Sequence, residues 1–280
     1  MSAPAALFPD FRMVIVRAPT GDSLLVRWAI LPTSYDMANI AFEILRSNGP
    51  SGPWVVAGMA EEGAFHFVDY LPMGVQSMRA YYYRVRVADK TGKGYRDSEV
   101  KSLDHDADHI ALGMVRKKNV FLRCRGGVSA AVLLRKRWGP KCSRCWDSVR
   151  MLPKDADCKE CYGTGFTGGY LTPVFVPAAL FNSAIRAYIS FNDARYDTAN
   201  SNLELANLPI VAPDDVIIDR AVNTRYIVKE TTPFTHRMVT VCQNVKVVRK
   251  DDNDVIYSYP IPEDSASLRG KSYDLMRSES

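Results

Sequence analysis

The chain has 280 residues, 47% hydrophobic and 24% charged, with a formal net charge of +5, the composition of an ordinary globular protein of about two domains. No stretch approaches the roughly 18 consecutive apolar residues of a membrane-spanning helix, and residues 1–19 do not read as a secretory signal, so a protein without membrane contact is expected. The charge is uneven: residues 1–105 are neutral, 106–170 carry +7 (13 Lys and Arg against 6 Asp and Glu), and 171–262 and 263–280 carry −1 each.

In chain order, residues 11 to about 102 read as short strands. Leu24, Val26 and Trp28 alternate with Leu25 and Arg27, and Phe42 and Ile44 flank Glu43, which places each set on one face of a strand. Asn48-Gly-Pro-Ser-Gly-Pro53 is a turn before Trp54-Val-Val. Phe65 and Phe67 precede Leu71-Pro72. Tyr81, Tyr83, Val85 and Val87 then alternate with Tyr82, Arg84 and Arg86, and a Gly-containing turn over 89–94 leads to a last strand. Seven such strands predict a two-sheet sandwich.

Trp28, Phe42-Glu-Ile-Leu-Arg-Ser47, and Leu71-Pro72 followed by Tyr81-x-Tyr-x-Val85 resemble a fibronectin type III module. The resemblance implies a tryptophan packed between the sheets, a corner hydrogen bond from Tyr81, and a spacer or adhesion module rather than an enzyme.

His105 and His109 lie four apart, as metal ligands on a helix would, but the Asp residues before Ile110-Ala-Leu-Gly-Met114 read more simply as the acidic start of a short helix. From Val120 the pattern predicts a hairpin through the Gly126-Gly127 turn. It would carry Arg123, Arg125, Arg135, Lys136 and Arg137 on its outer side, a candidate surface for phosphate backbone or an acidic neighbour.

The densest chemistry follows. Cys142-x-x-Cys145, twelve residues and Cys158-x-x-Cys161 have the spacing of a closed tetrahedral zinc site, each pair offering two thiolates on adjacent corners. Gly163 and Gly165 permit the positive φ and close approach that backbone amides need to reach thiolate sulfur. Two disulfides would suit a small secreted domain, and a catalytic zinc usually keeps a position open, so the expectation is structural zinc. Cys-x-x-Cys-x-Gly-x-Gly resembles one unit of the cysteine-rich zinc region of DnaJ-type co-chaperones, present once here instead of four times. Cys124 and Cys242 fall outside the set and read as small buried hydrophobes.

After an extended stretch from Tyr170, residues 178–192 carry no clear pattern. Val216 and Ile218, a turn over 220–223, and Tyr226-Ile-Val228 predict a hairpin, and Val239 to Val248 supply further strand before the Asp-rich turn at 251–254. The polar residues 263–280 read as a mobile tail. The expected organisation is mainly β: a sandwich over 1–105, a linker helix, basic hairpin and four-cysteine clasp over 106–170, and a small β-barrel-like domain over 171–262.

Pro213-Asp-Asp-Val-Ile-Ile-Asp219 with Arg225-Tyr-Ile-Val228 resembles the small β-barrel proteins at the head-to-tail junction of tailed bacteriophages. Arg135 through Tyr170 resembles a zinc-clasped segment of phage virion proteins. These resemblances imply a non-enzymatic virion protein at the neck: a homo-oligomeric ring meeting portal, neck or tail proteins, with non-specific contact to DNA. The alternatives are a zinc-ribbon nucleic-acid-binding protein, favoured by the +7 segment, and a tail or baseplate component. A hydrolase lacks parts, since Gly-x-Ser-x-Gly, His-Glu-x-x-His and a phosphate-binding Gly-rich loop are absent from the sequence.

Overall fold

The computed structural model describes residues 8–20, 23–32, 35–70, 81–92, 94–103, 108–181, 200–237 and 239–262. Leu71-Pro72, His105 and the expected tail over 263–280 lie outside the described residues. The chain divides into two compact units, Met1–Ala107 with Arg137–Lys141, and Asp108–Lys136 with Cys142–Ser280. The segment expected as one central region is therefore shared between the units.

The first unit contains β1 (Phe11–Thr20), β2 (Ser23–Ile30), β3 (Ile40–Ser47), β4 (Val55–Met59), β5 (His66–Tyr70), β6 (Tyr82–Asp89), β7 (Tyr95–Asp97) and β8 (Lys101–Ser102). One sheet runs β1-β2-β5 and the other β4-β3-β6-β7, with β8 also on β6. This is the two-sheet sandwich that the alternation predicts. Leu24, Val26, Trp28, Phe42, Ile44, Tyr83, Val85 and Val87 are all buried in one core, because period-two side chains of both sheets meet between them. Trp28 lies 5.3 Å from Phe42, ring centre to ring centre. The anchored tyrosine hydroxyl is that of Tyr83, which donates to Asp69 Oδ2 at 2.8 Å, where Arg46 also donates at 2.6 Å. That bond differs in position from the one the resemblance implied for Tyr81.

Trp138, far from these strands in sequence, is a member of the same core. It meets Phe42 edge-on at 5.4 Å and Phe65 at 5.2 Å.

The second unit opens with α1 (His109–Phe121), whose N-cap Asp108 accepts from the N–H groups of Ile110 and Ala111; this is the helix start that the acidic residues predict. The helix runs past Val120, passes through a wide turn over Leu122–Gly126, and leads into β9 (Gly127–Leu133). The predicted hairpin from Val120 is thus replaced by helix and one strand. No Pro or Gly interrupts the chain between Gly113 and Gly126, and β9 finds its partners far along the chain rather than next to it.

After β9 come β10 (Trp146–Asp147), β11 (Leu152–Pro153), β12 (Val174–Phe181), β13 (Asn200–Leu205), β14 (Val216–Asp219), β15 (Thr224–His236) and β16 (Val239–Arg249). Six of the unit's strands close a barrel in the order β12-β13-β16-β15-β14-β9, and β10 pairs with β11. The predicted hairpin over 216–228 is the β14–β15 pair, with Val216 opposite Ile227. Both faces of the β9–β14 wall are buried. Ala131, Leu133, Val216 and Ile218 join Tyr170 and Ile256 in one cluster, while Ala130, Val132 and Ile217 alternate with them and are also fully buried. Burial on both faces explains why these strands read as apolar runs without clean alternation.

Candidate metal centre

Cys142, Cys145, Cys158 and Cys161 are buried, and their sulfur atoms all lie within 4.8 Å of one another. Cys142 and Cys158 Sγ are 3.9 Å apart, Cys145 and Cys161 Sγ 3.2 Å. A disulfide needs about 2.05 Å, and a tetrahedral ion with metal–sulfur bonds of about 2.3 Å spaces its ligands by about 3.8 Å. None of the four cysteines is in a disulfide, and together they are placed where they could hold a metal ion. Of the two cysteines outside the set, Cys242 is buried as expected, whereas Cys124 is exposed in the turn after α1.

Local backbone geometry produces the cluster. Trp146 N–H donates to the Cys142 carbonyl at 3.1 Å, Lys154 N–H to that of Cys145 at 2.7 Å, and Tyr162 N–H to that of Cys158 at 2.7 Å. The Trp146 and Tyr162 bonds wind each short pair into a tight turn, and the Lys154 bond ties down the start of the segment between the pairs. Between the pairs, β10 and β11 form a two-residue ladder, Trp146 opposite Pro153 and Asp147 opposite Leu152. Gly163 has φ +75°, and a Cβ there would meet the Ala156 carbonyl oxygen at 2.6 Å; at Gly169, φ +68°, it would meet the Cys161 oxygen at 2.6 Å. Both positions admit only glycine without rearrangement.

The electrostatics match a cation site. Burial pushes the Cys145 thiol far up, reinforced by hydrogen bonds with Cys161, Cys142 and Cys158. Burial also raises Cys161, against the N–H groups of Gly165 and Gly163 that reach its sulfur. At Cys158 burial acts upward, but the N–H groups of Glu160 and Cys161 and hydrogen bonds with the Cys145 and Cys161 sulfurs together outweigh it and hold the thiol down at about 7. Four buried sulfurs cannot all ionise against one another; a divalent cation at their centre would supply the charge that makes thiolates of them.

The clasp is fastened to the barrel. Tyr162 and Tyr170 flank its second knuckle, and Tyr259 meets both, at 5.0 Å and 5.7 Å between ring centres. Tyr259 is held by buried Arg225, which donates to its carbonyl at 3.1 Å and to that of Ile256. The sequence shows no sign of this fastening, because its members lie up to 97 positions apart between Tyr162 and Tyr259.

The five basic residues do not share one hairpin. Arg123 is exposed in the turn after α1, and the Arg125 side chain lies outside the described part. Arg135 bridges to Tyr170 and pairs with Asp214 at 3.0 Å. Lys136 donates to the Thr167 carbonyl at 3.1 Å, and Arg137 is exposed in the first unit. Arg135 and Lys136 are fixed to the loops of the barrel and the clasp.

No family model and no curated protein matches the chain. Among solved structures it is similar to the titin kinase with its flanking domains, at 11% identity and a TM-score of 0.29, covering 88% of this chain and 38% of that one. A second is the twitchin kinase region from C. elegans, at 10% identity and a TM-score of 0.28, covering 86% and 40%. The chain spans about two fifths of the length of these structures.

Proposed function

We propose that the chain is a non-enzymatic structural component of a tailed-phage particle, at the neck or head-to-tail junction, that assembles into a ring. Its clasp holds one structural zinc. The observation that carries this reading is the fastening of a closed four-cysteine clasp to a closed barrel, at the segments that resemble phage connector and virion proteins. Four protein ligands leave no position for substrate at the metal. Cys142, Cys145, Cys158 and Cys161 would hold the zinc, which cross-links loops that have little core of their own.

A ring protein makes heterologous contacts that close on themselves. Purified protein is therefore expected to form a discrete oligomer, visible as rings by electron microscopy, that joins portal, other neck or tail components; a chain that stays monomeric at all concentrations and never joins a particle contradicts the reading.

The zinc-ribbon nucleic-acid reading rests on the +7 segment. Arg135 and Lys136, two of the five basic residues expected to form its binding surface, are committed to Asp214 and Thr167, which leaves a smaller cationic surface than the sequence suggests. Tight duplex binding with a steep salt dependence would favour that reading over the connector. A tail or baseplate position would leave the ring and the zinc unchanged and alter only the neighbours.

A further inference from the structure

The segment that follows β16 has two attachments, one to the barrel and one to the clasp. Residues 250–261 fold around a short 3-10 helix, Val255–Ser258, capped by Asp254, whose carboxylate accepts from the Ile256 N–H at 3.0 Å. Lys250 pairs with Asp254 at 2.7 Å, so the shape of the segment is set locally, but a single helical turn is not stable by itself in water. Its seat is one face of the β9–β14 wall. There Ile256, only 2% exposed, joins Ala131, Leu133, Val216 and Ile218, with Tyr257, Tyr259 and Ile261 packed against them.

The attachment to the barrel is Arg225 of β15. Its buried guanidinium donates to the carbonyls of Ile256 and Tyr259 and lies 5.1 Å from the centre of the Tyr257 ring. The attachment to the clasp is Tyr162, the residue after Cys161, whose ring meets that of Tyr259 edge-on at 5.0 Å. Tyr162 stands at φ +51°, a left-handed conformation that a bulky residue rarely adopts and that persists only where its surroundings impose it. Those surroundings are the second knuckle, where the Tyr162 N–H closes a turn onto the Cys158 carbonyl at 2.7 Å. A knuckle whose two sulfurs bind a metal keeps that turn closed. Four protonated thiols are held together only by weak S–H contacts, so in zinc-stripped protein the knuckle can open, Tyr162 can relax to negative φ, and Tyr259 loses its neighbour.

We infer that metal binding in the clasp and the seating of residues 250–261 on the barrel are coupled, with the contact between the Tyr162 and Tyr259 rings as the link. The inference rests on the metal reading of the clasp and adds its regulation: the loaded clasp keeps the apolar face of the β9–β14 wall covered, and stripping it lets the segment lift away. Coupling of this kind is reciprocal. A segment that seats poorly must therefore weaken the hold on the metal by a similar factor.

Both directions are measured on the full chain with zinc as the probe. Hydrogen exchange followed by mass spectrometry compares zinc-loaded protein with protein stripped by a chelator. Peptides covering 255–262 are expected to lose about fivefold or more of their protection on stripping and to regain it when zinc is returned, while β13 and β16 keep theirs. Full zinc loading with no change in these peptides overturns the coupling and leaves the metal reading standing. A barrel that loses protection along with the segment also overturns it, because the metal then supports the whole unit. In the other direction, zinc affinity is read by equilibrium competition with a colorimetric chelator. Tyr259→Leu is expected to bind zinc about fivefold or more weakly than the wild type, and Tyr259→Phe, which keeps the ring, to bind it nearly as well. Wild-type affinity in a folded Tyr259→Leu chain, or equal weakening in both variants, overturns the ring contact as the link. A wild type that takes up no zinc overturns the metal reading itself.

Discussion

Gly163 shows how one residue shapes the four-cysteine cluster. Its amide reaches the Cys161 sulfur only because the chain turns at φ +75° with the Ala156 carbonyl close above it. Gly163→Ala would place a methyl group 2.6 Å from that oxygen, so the knuckle must open and the N–H to sulfur bond lengthen. The variant is expected to lose more than about 1 kcal/mol of stability and to release metal to a chelator faster than the wild type, measured by a colorimetric competition assay. The four-cysteine cluster and this glycine were legible in the sequence because the chemistry is local: two pairs, a fixed spacing, and a residue type suited to the turn. The anchored hydroxyl was not. Tyr81 and Tyr83 share a face and both are buried, and which of them reaches a carboxylate depends on the position of Asp69 on a strand of the opposite sheet.

At the scale of elements, the short-range pattern located the strands of the sandwich, by their alternation, and the β14–β15 hairpin, whose strands are adjacent in the chain. It failed around residues 120–140. Val120 reads as strand by its β-branched side chain, yet the helix begun by the Asp108 cap continues through it, since intrinsic preference is weak beside an established cap and tertiary packing. Trp138 is the clearest case. It follows Arg135-Lys-Arg137 directly in the sequence, yet it is only 7% exposed and packs against Phe42 and Phe65. Trp138→Ala is therefore expected to destabilise the first unit by about 3–5 kcal/mol, seen as a lower urea midpoint for the near-ultraviolet signal of its aromatic core. A fragment ending at residue 105 would lack this side chain and should show a comparable deficit; an undiminished midpoint would show that the indole contributes nothing to the sandwich.

For the whole molecule, the closed barrel was only partly legible, because β9 comes from a segment assigned by sequence to the basic region and its pairing with β14 joins residues as far apart as Val132 and Ile217. In the second unit, the cysteine cluster gathers the loops, aromatic rings seat them, and a sheet closed on itself supports both. Elemental analysis of the purified full chain tests the metal at the centre of this arrangement most directly. About one zinc per chain is expected, lost in Cys142→Ser and in Cys158→Ser together with the folded clasp. Four freely reactive thiols and no metal in a chain that retains its native fold would contradict it, as would one iron per chain with the visible absorption of an iron–thiolate centre.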